Sequence, residues 1–152
     1  VLCISDYFGL KTVIFRYFNV YGERQPVRGE YAPVIGLFLR QSKNMEPMTI
    51  VGDGQQKRDF TYVKDVVEAN ICAMTTQNSQ AWGEVFNVGT GKNYTIKDLV
   101  QMIGTPYIHV EERLGEARES LANTEKITTI LGWEPHHQLD EWVSRQIESK
   151  DS

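Results

Sequence analysis

Apolar and aromatic residues dominate from Val13 to Phe18 and stop at Asn19, three positions ahead of Gly22. A β-branched and aromatic run this short predicts a buried strand over 12–18. A strand that delivers an asparagine at its tip marks a candidate ligand site, because open α/β sheets bind ligands beyond the carboxyl ends of their strands. After a polar loop through Gly29, Ile35, Phe38 and Leu39 share one face of a helix predicted over 33–43, with Pro33 suited to its first turn. Met48–Val51 reads as a strand closed by Gly52-Asp53-Gly54, and 60–63 as a short extended piece. A helix over 64–76 places Val67, Ile71 and Met74 in one stripe, which predicts a core-facing surface. A strand over 84–88 follows, then Thr95-Ile96-Lys97-Asp98 in the form of a capping box opening a helix that carries Leu99 and Ile103. Residues 107–111 give a last strand. Asn123 or Thr124 caps a helix ending at Gly132, and Leu139, Trp142 and Val143 line a final amphipathic helix. Short strands alternating with helices, without repeats or low-complexity tracts, make the fold class α/β.

Composition narrows the function classes. With 152 residues and 41% hydrophobic content the chain can bury one core. A net charge of -4 argues against a general nucleic-acid binder. Nothing approaches the ~18 consecutive apolar residues of a membrane-spanning helix, and the opening residues lack the basic region of a secretory signal. Cys3 and Cys72 stand far apart without a Cys-x-x-Cys, as expected of reduced thiols in a cytoplasmic protein. His136 and His137 are adjacent, but neighbours on a loop make poor joint ligands, so both read as solvated surface and no metal site is expected.

Candidate chemistry lies in the loops. Gly52-Asp53-Gly54 and Gly89-Thr90-Gly91 each offer two glycines, which suits turns of positive φ better than a phosphate cradle. Arginine forks match phosphate oxygens, and carboxylates accept hydrogen bonds from ribose diols. Arg58 follows a glycine turn in a polar stretch read as loop, and Arg113 lies in Glu112-Arg113-Leu114-Gly115-Glu116. Composition alone would assign both arginines to surface ion pairs.

Seven segments change that assignment. They are Arg16-Tyr17-Phe18-Asn19-Val20-Tyr21-Gly22, Tyr31-Ala32-Pro33-Val34-Ile35, Ile50-Val51-Gly52-Asp53-Gly54, Lys57-Arg58-Asp59-Phe60, Val63-Lys64-Asp65-Val66, Phe86-Asn87-Val88-Gly89-Thr90-Gly91 and Leu131-Gly132-Trp133-Glu134-Pro135. In this order they resemble the extended short-chain dehydrogenase/reductase family, specifically its NAD-dependent nucleotide-sugar epimerases and dehydratases. The resemblance covers only the family's C-terminal part, so residues 1–152 should hold the last strands of a Rossmann-type sheet plus a small α/β substrate-binding domain. The family's Gly-x-x-Gly-x-x-Gly turn, which cradles the cofactor pyrophosphate, does not occur in the sequence. Its proton-transfer pair is a Tyr followed four residues later by a Lys. Tyr7 and Lys11 have that spacing but stand too close to Arg16, with Gly9 between them, so no catalytic residue is assigned and 1–8 reads as the tail of the catalytic helix.

By the same resemblance Arg58 and Arg113 hold a diphosphate, and Glu116 replaces a family Asp on the ribose with one extra methylene. Asn19 would reach the diphosphate and sugar, and Phe18 would lie near the nicotinamide. Tyr31 and Ala32 would contact the nucleotide through backbone, and Thr49, Ile50 and Val51 would flank the base. The implied parent is a cytoplasmic NAD-dependent UDP-sugar 4-epimerase. A 4,6-dehydratase or decarboxylase is the alternative, and a non-catalytic nucleotide-sugar binding module is the reading from another class. This portion would bind a UDP-sugar, lack NAD and activity by itself, and form a homodimer or higher species through the apolar surface that the missing half leaves exposed.

Overall fold

The structure, a computed structural model, describes residues 7–29, 32–112 and 115–149. Tyr31, Arg113, Cys3 and most of the 1–8 segment therefore lie outside the described residues. The element order is β1 (Ile14–Tyr17), β2 (Val20–Tyr21), α1 (Val34–Lys43), β3 (Met48–Val51), β4 (Lys57–Asp59), β5 (Thr61–Tyr62), α2 (Val63–Thr75), β6 (Val85–Val88), β7 (Asn93–Thr95), α3 (Ile96–Ile103), β8 (Tyr107–Val110), α4 (Glu125–Leu131) and α5 (Leu139–Glu148). Strands form separate pairs: β1 with β6, β2 with β5 and β3 with β8 run parallel, whereas β4 and β7 run antiparallel. Parallel pairing needs a crossover connection, and α2 and α3 fall within the β1-to-β6 and β3-to-β8 crossovers.

Two apolar clusters form where one was expected. In the first, α1 (Ile35, Phe38), α3 (Leu99, Ile103) and α5 (Trp142, Val143) pack around Met48 and Ile50 of β3. In the second, Val66 and Ala69 of α2 and Ile127 of α4 pack with Phe86 and Val88 of β6. Helix ends follow their sequence signals. Thr95 and Asp98 form the complete capping box, and Gly104 and Gly132 close α3 and α4 with φ of 75° and 66°. At α4 it is Asn123 whose side chain accepts from the Glu125 amide, at 3.0 Å. Among the described residues no helix is long and apolar enough to cross a membrane.

Three expectations need correction. Val67, Ile71 and Met74 are not core: they are 52%, 52% and 84% exposed, while Val66 and Ala69 face inward. The small Ala69 side chain allows close approach to the bulky Phe86 layer, which turns the larger stripe outward. Lys57–Asp59 is a strand and not a loop; its polar residues pair with Asn93–Thr95, with Arg58 opposite Tyr94. His137 is not solvated surface either. Its Nδ1 lies 2.6 Å from the fully buried Asp65 carboxylate and its ring 4.6 Å from that of Tyr62, because Asp65, in the first turn of α2, draws donors from the 136–137 segment to satisfy its buried oxygens.

Candidate functional site

Asn19 sits between β1 and β2 with φ 30°, a left-handed backbone that asparagine tolerates better than most residues. Its carbonyl accepts from the Thr61 amide at 3.3 Å, and its side-chain amide donates to the Asp59 carbonyl at 2.9 Å. The strand tip is thereby tied to β4 and β5, with the Asn19 side chain at an exposed position.

β4 carries Arg58 next to that tip. One edge of β4 pairs with β7, and along the other the Lys57 amide donates to the Arg118 carbonyl at 2.9 Å and the Ser120 amide donates to the Lys57 carbonyl at 3.0 Å. This brings the 116–120 segment alongside Arg58. Arg58 Nη2 donates to Glu116 Oε1 at 2.9 Å and Nη1 to the Lys57 carbonyl at 2.9 Å, with side-chain exposures of 14% for Arg58 and 34% for Glu116. An arginine held this far from solvent beside a carboxylate is a preorganised anion fork with its counter-charge in place. Nearby, the Arg118 guanidinium bonds Asp53 at 2.9 and 2.6 Å and holds that carboxyl at about 2, below the usual carboxylate range.

Beneath Arg58, Asp59 is fully buried. The Thr90 amide and hydroxyl donate to its Oδ1 at 2.8 and 2.7 Å, and the Gly91 and Ala122 amides to its Oδ2, both at 3.0 Å. Gly91 has the positive φ, 71°, expected of a turn. The loop nonetheless cradles an anion, the chain's own Asp59. Gly89 is needed for the close approach: a Cβ there would run into the Ala122 methyl and stand 2.9 Å from Asp59 Oδ2. Asp59 and Thr90 were not singled out from the sequence. The usable signal was an acidic residue beside Arg58 followed directly by apolar Phe60.

The remaining candidates are used unevenly. Thr49 is engaged by Gln41, whose amide nitrogen donates to the Thr49 hydroxyl at 3.0 Å and whose oxygen accepts from the Thr49 amide at 3.2 Å. Ile50 is fully buried in the first apolar cluster. Val51 shares a cleft of about 20 Å³ with Gly52, Asp53, Gln56, Glu116 and Arg118, room for a water-sized group. Phe18 is half-buried and extends the β1–β6 ladder through its amide, 3.0 Å from the Val88 carbonyl. The Ala32 amide donates to the Gly29 carbonyl at 3.2 Å, apart from these contacts. A cavity of about 950 Å³ beside Glu23, Arg24, Arg40, Lys43 and Trp142 includes none of the expected binding residues.

Tyr7 and Lys11 do not form a proton-transfer pair. Gly9, at φ 65°, ends the turn between them; Lys11 Nζ lies 4.0 Å from the centre of the Trp82 ring, and Tyr7 packs edge-on against Phe8. Both glycine turns are engaged by the chain's own residues. The Thr90 and Gly91 amides hold Asp59, and the Gly52–Gly54 turn lies against Glu112, Ile50 and Lys97.

The NAD dependent epimerase/dehydratase family matches residues 2–89. A putative UDP-glucose 4-epimerase of Methanocaldococcus jannaschii is 38% identical over 147 residues, covering 92% of this chain and 46% of that protein. The UDP-glucose 4-epimerase of Thermotoga maritima, solved with UDP-glucose, superposes with a TM-score of 0.86 at 37% identity over 96% of this chain and 48% of its own. The UDP-glucuronic acid 4-epimerase of Bacillus cereus, solved with UDP-glucuronic acid and NAD, gives 0.82 at 28% identity over 98% of this chain and 48% of its own. The chain spans about half the length of the relatives it matches. Its α/β fold is a partial Rossmann-like C-terminal portion of the kind those enzymes carry, and the chain belongs to the NAD dependent epimerase/dehydratase family.

Proposed function

We propose that this chain is the nucleotide-sugar-binding half of a cytoplasmic NAD-dependent UDP-sugar 4-epimerase, inactive by itself. The observation that carries the proposal is the largely buried Arg58 fork, held on β4 against Glu116 and beside the Asn19 strand tip. A UDP-sugar presents a diphosphate, for which a guanidinium is the bidentate partner, and ribose hydroxyls, for which a carboxylate is. On binding, phosphate oxygens take the place of Glu116 Oε1 on Arg58 Nη2, and the released carboxylate turns to the ribose. Neither charge is left buried and unpaired in that exchange, which is the condition for a favourable ion-pair swap. Arg113, outside the described residues, completes the clamp, and Asn19 orients the sugar. The hydride chemistry belongs to NAD held by a preceding half. The cytoplasmic setting rests on Cys72, a half-buried free thiol. We propose also that the exposed β1 and α2 face drives self-association.

UDP titration by calorimetry at fixed ionic strength tests the site. Arg58→Ala should raise the dissociation constant about tenfold or more, since losing a charged partner from a desolvated site costs roughly 2–4 kcal/mol. Arg145→Ala on α5 should leave it unchanged, as exposed arginines contribute under about 1 kcal/mol. Equal binding by both variants and the parent removes the assignment. Tryptophan fluorescence during NAD addition should show no saturable change, and saturation in the micromolar range would overturn the half-site reading.

A further inference from the structure

The three segments that present Asn19, Arg58 and Glu116 come from distant parts of the chain, and each is tied to the same residue. Asp59 neighbours Arg58 on β4 and gives its carbonyl to the Asn19 side-chain amide. Its carboxylate holds the Ala122 amide, at the end of the strand-like 118–120 segment that follows Glu116, and the Thr90 and Gly91 amides on the opposite side. All four carboxylate donors are neutral, and three are backbone amides. A buried carboxylate surrounded by main-chain donors fixes backbone more rigidly than a side-chain ion pair would, because the donors cannot change rotamer to follow a moving partner. The cleft near Gly89 has no slack: a single added methyl would collide with Ala122.

We propose that Asp59 is the positioning residue of the nucleotide-sugar site. By anchoring 89–91 and 118–122 to β4, it sets the Arg58–Glu116 separation and the orientation of Asn19 without touching the ligand. The inference rests on assigning those three residues to a nucleotide sugar, and its test contains an arm that does not need that assignment.

Asp59→Asn in the 152-residue chain keeps size and one acceptor but places an amide where two backbone donors converge. Asp65→Asn is the control: Asp65 is equally buried and accepts from the His136 and His137 amides, away from the site. If Asp59 were only a stabilising buried carboxylate, the two variants would behave alike. Both should melt earlier than the parent, but at a temperature where both are folded Asp59→Asn should raise the UDP dissociation constant about tenfold, and Asp65→Asn by less than about twofold. The ligand-free arm is amide hydrogen exchange. Asp59→Asn should speed exchange at 118–122 and 89–91 by about tenfold or more, which Asp65→Asn should not do. Should Asp59→Asn fail to fold, Thr90→Ala removes one of the four donors and should give smaller changes of the same kind. Parallel behaviour of the Asp59 and Asp65 variants, or unaltered exchange in those segments, overturns the proposal. A parent that binds no UDP but shows the selective exchange change sinks the nucleotide-sugar reading and keeps Asp59 as the anchor of these segments.

Discussion

Tyr21 shows how one atom can work against its surroundings. Its ring is 1% exposed and packs against Tyr62 and Trp142 at centroid distances of 5.5 and 5.1 Å, yet its hydroxyl has no hydrogen-bond partner among the described residues. Burial pushes the ionisation of that hydroxyl up, and the negative charge of Asp65 pushes it further. The folded pKa thus lies above the unfolded value of 10.0, so the stability from keeping Tyr21 neutral is intact below that pH and is lost as pH rises past it. Tyr21→Phe keeps the ring and deletes the orphan oxygen. It should leave stability unchanged or raise it by up to about 1 kcal/mol. Its alkaline unfolding midpoint, followed by circular dichroism, should move to higher pH. A loss of more than about 1 kcal/mol in urea melts at neutral pH would show that the hydroxyl is satisfied after all.

At the scale of elements, α3 is where sequence and structure agree most fully. The Thr95 hydroxyl accepts from the Asp98 amide at 3.0 Å, the Asp98 carboxylate accepts from the Thr95 amide at 2.7 Å, and Leu99, Val100 and Ile103 turn inward. Thr95→Ala should cost about 1 kcal/mol by chemical denaturation, with Thr95→Ser recovering most of it. A silent Thr95→Ala would mean that packing alone holds α3. Elements announced by local signals were legible in this way: α1 by its period, β3 by its closing glycine turn, α4 by Gly132. The β4–β7 ladder was not, because Lys57-Arg58-Asp59 is polar and its pairing depends on residues distant in sequence. Periodicity also found a stripe on α2 without showing that a smaller apolar face, Val66 and Ala69, would take the sheet. For the site, resemblance placed Arg58, Glu116 and Asn19 in one neighbourhood. It did not show that the Ile50 side chain packs in the core, and it missed Asp59, whose role depends on amides supplied by two remote loops.

At the scale of the molecule, β1 leaves a strand edge open among the described residues. Among the described residues β1 pairs with β6 along one edge and with nothing along the other. A groove of about 310 Å³, lined by Lys11, Val13, Phe15, Asn70, Ala73, Met74, Thr76 and Trp82, joins β1 to α2. Tyr17 of β1 and Val67 and Ile71 of α2 are exposed as well. An open strand edge and exposed large apolar side chains are both features that proteins normally cover, because both template association. Sedimentation velocity at tens of micromolar should therefore show a dimer or higher species. Added salt should not dissolve it, since apolar contacts are not screened as surface charges are. Paired Ile71→Glu and Met74→Glu substitutions should yield a monomer with its melting temperature nearly unchanged, because exposed substitutions usually fall within about 0.5 kcal/mol. A clean monomer for the parent at the same concentration would show that this face is tolerated in water, and the assignment of the β1 edge and the α2 stripe as surface meant to be covered would lose its support.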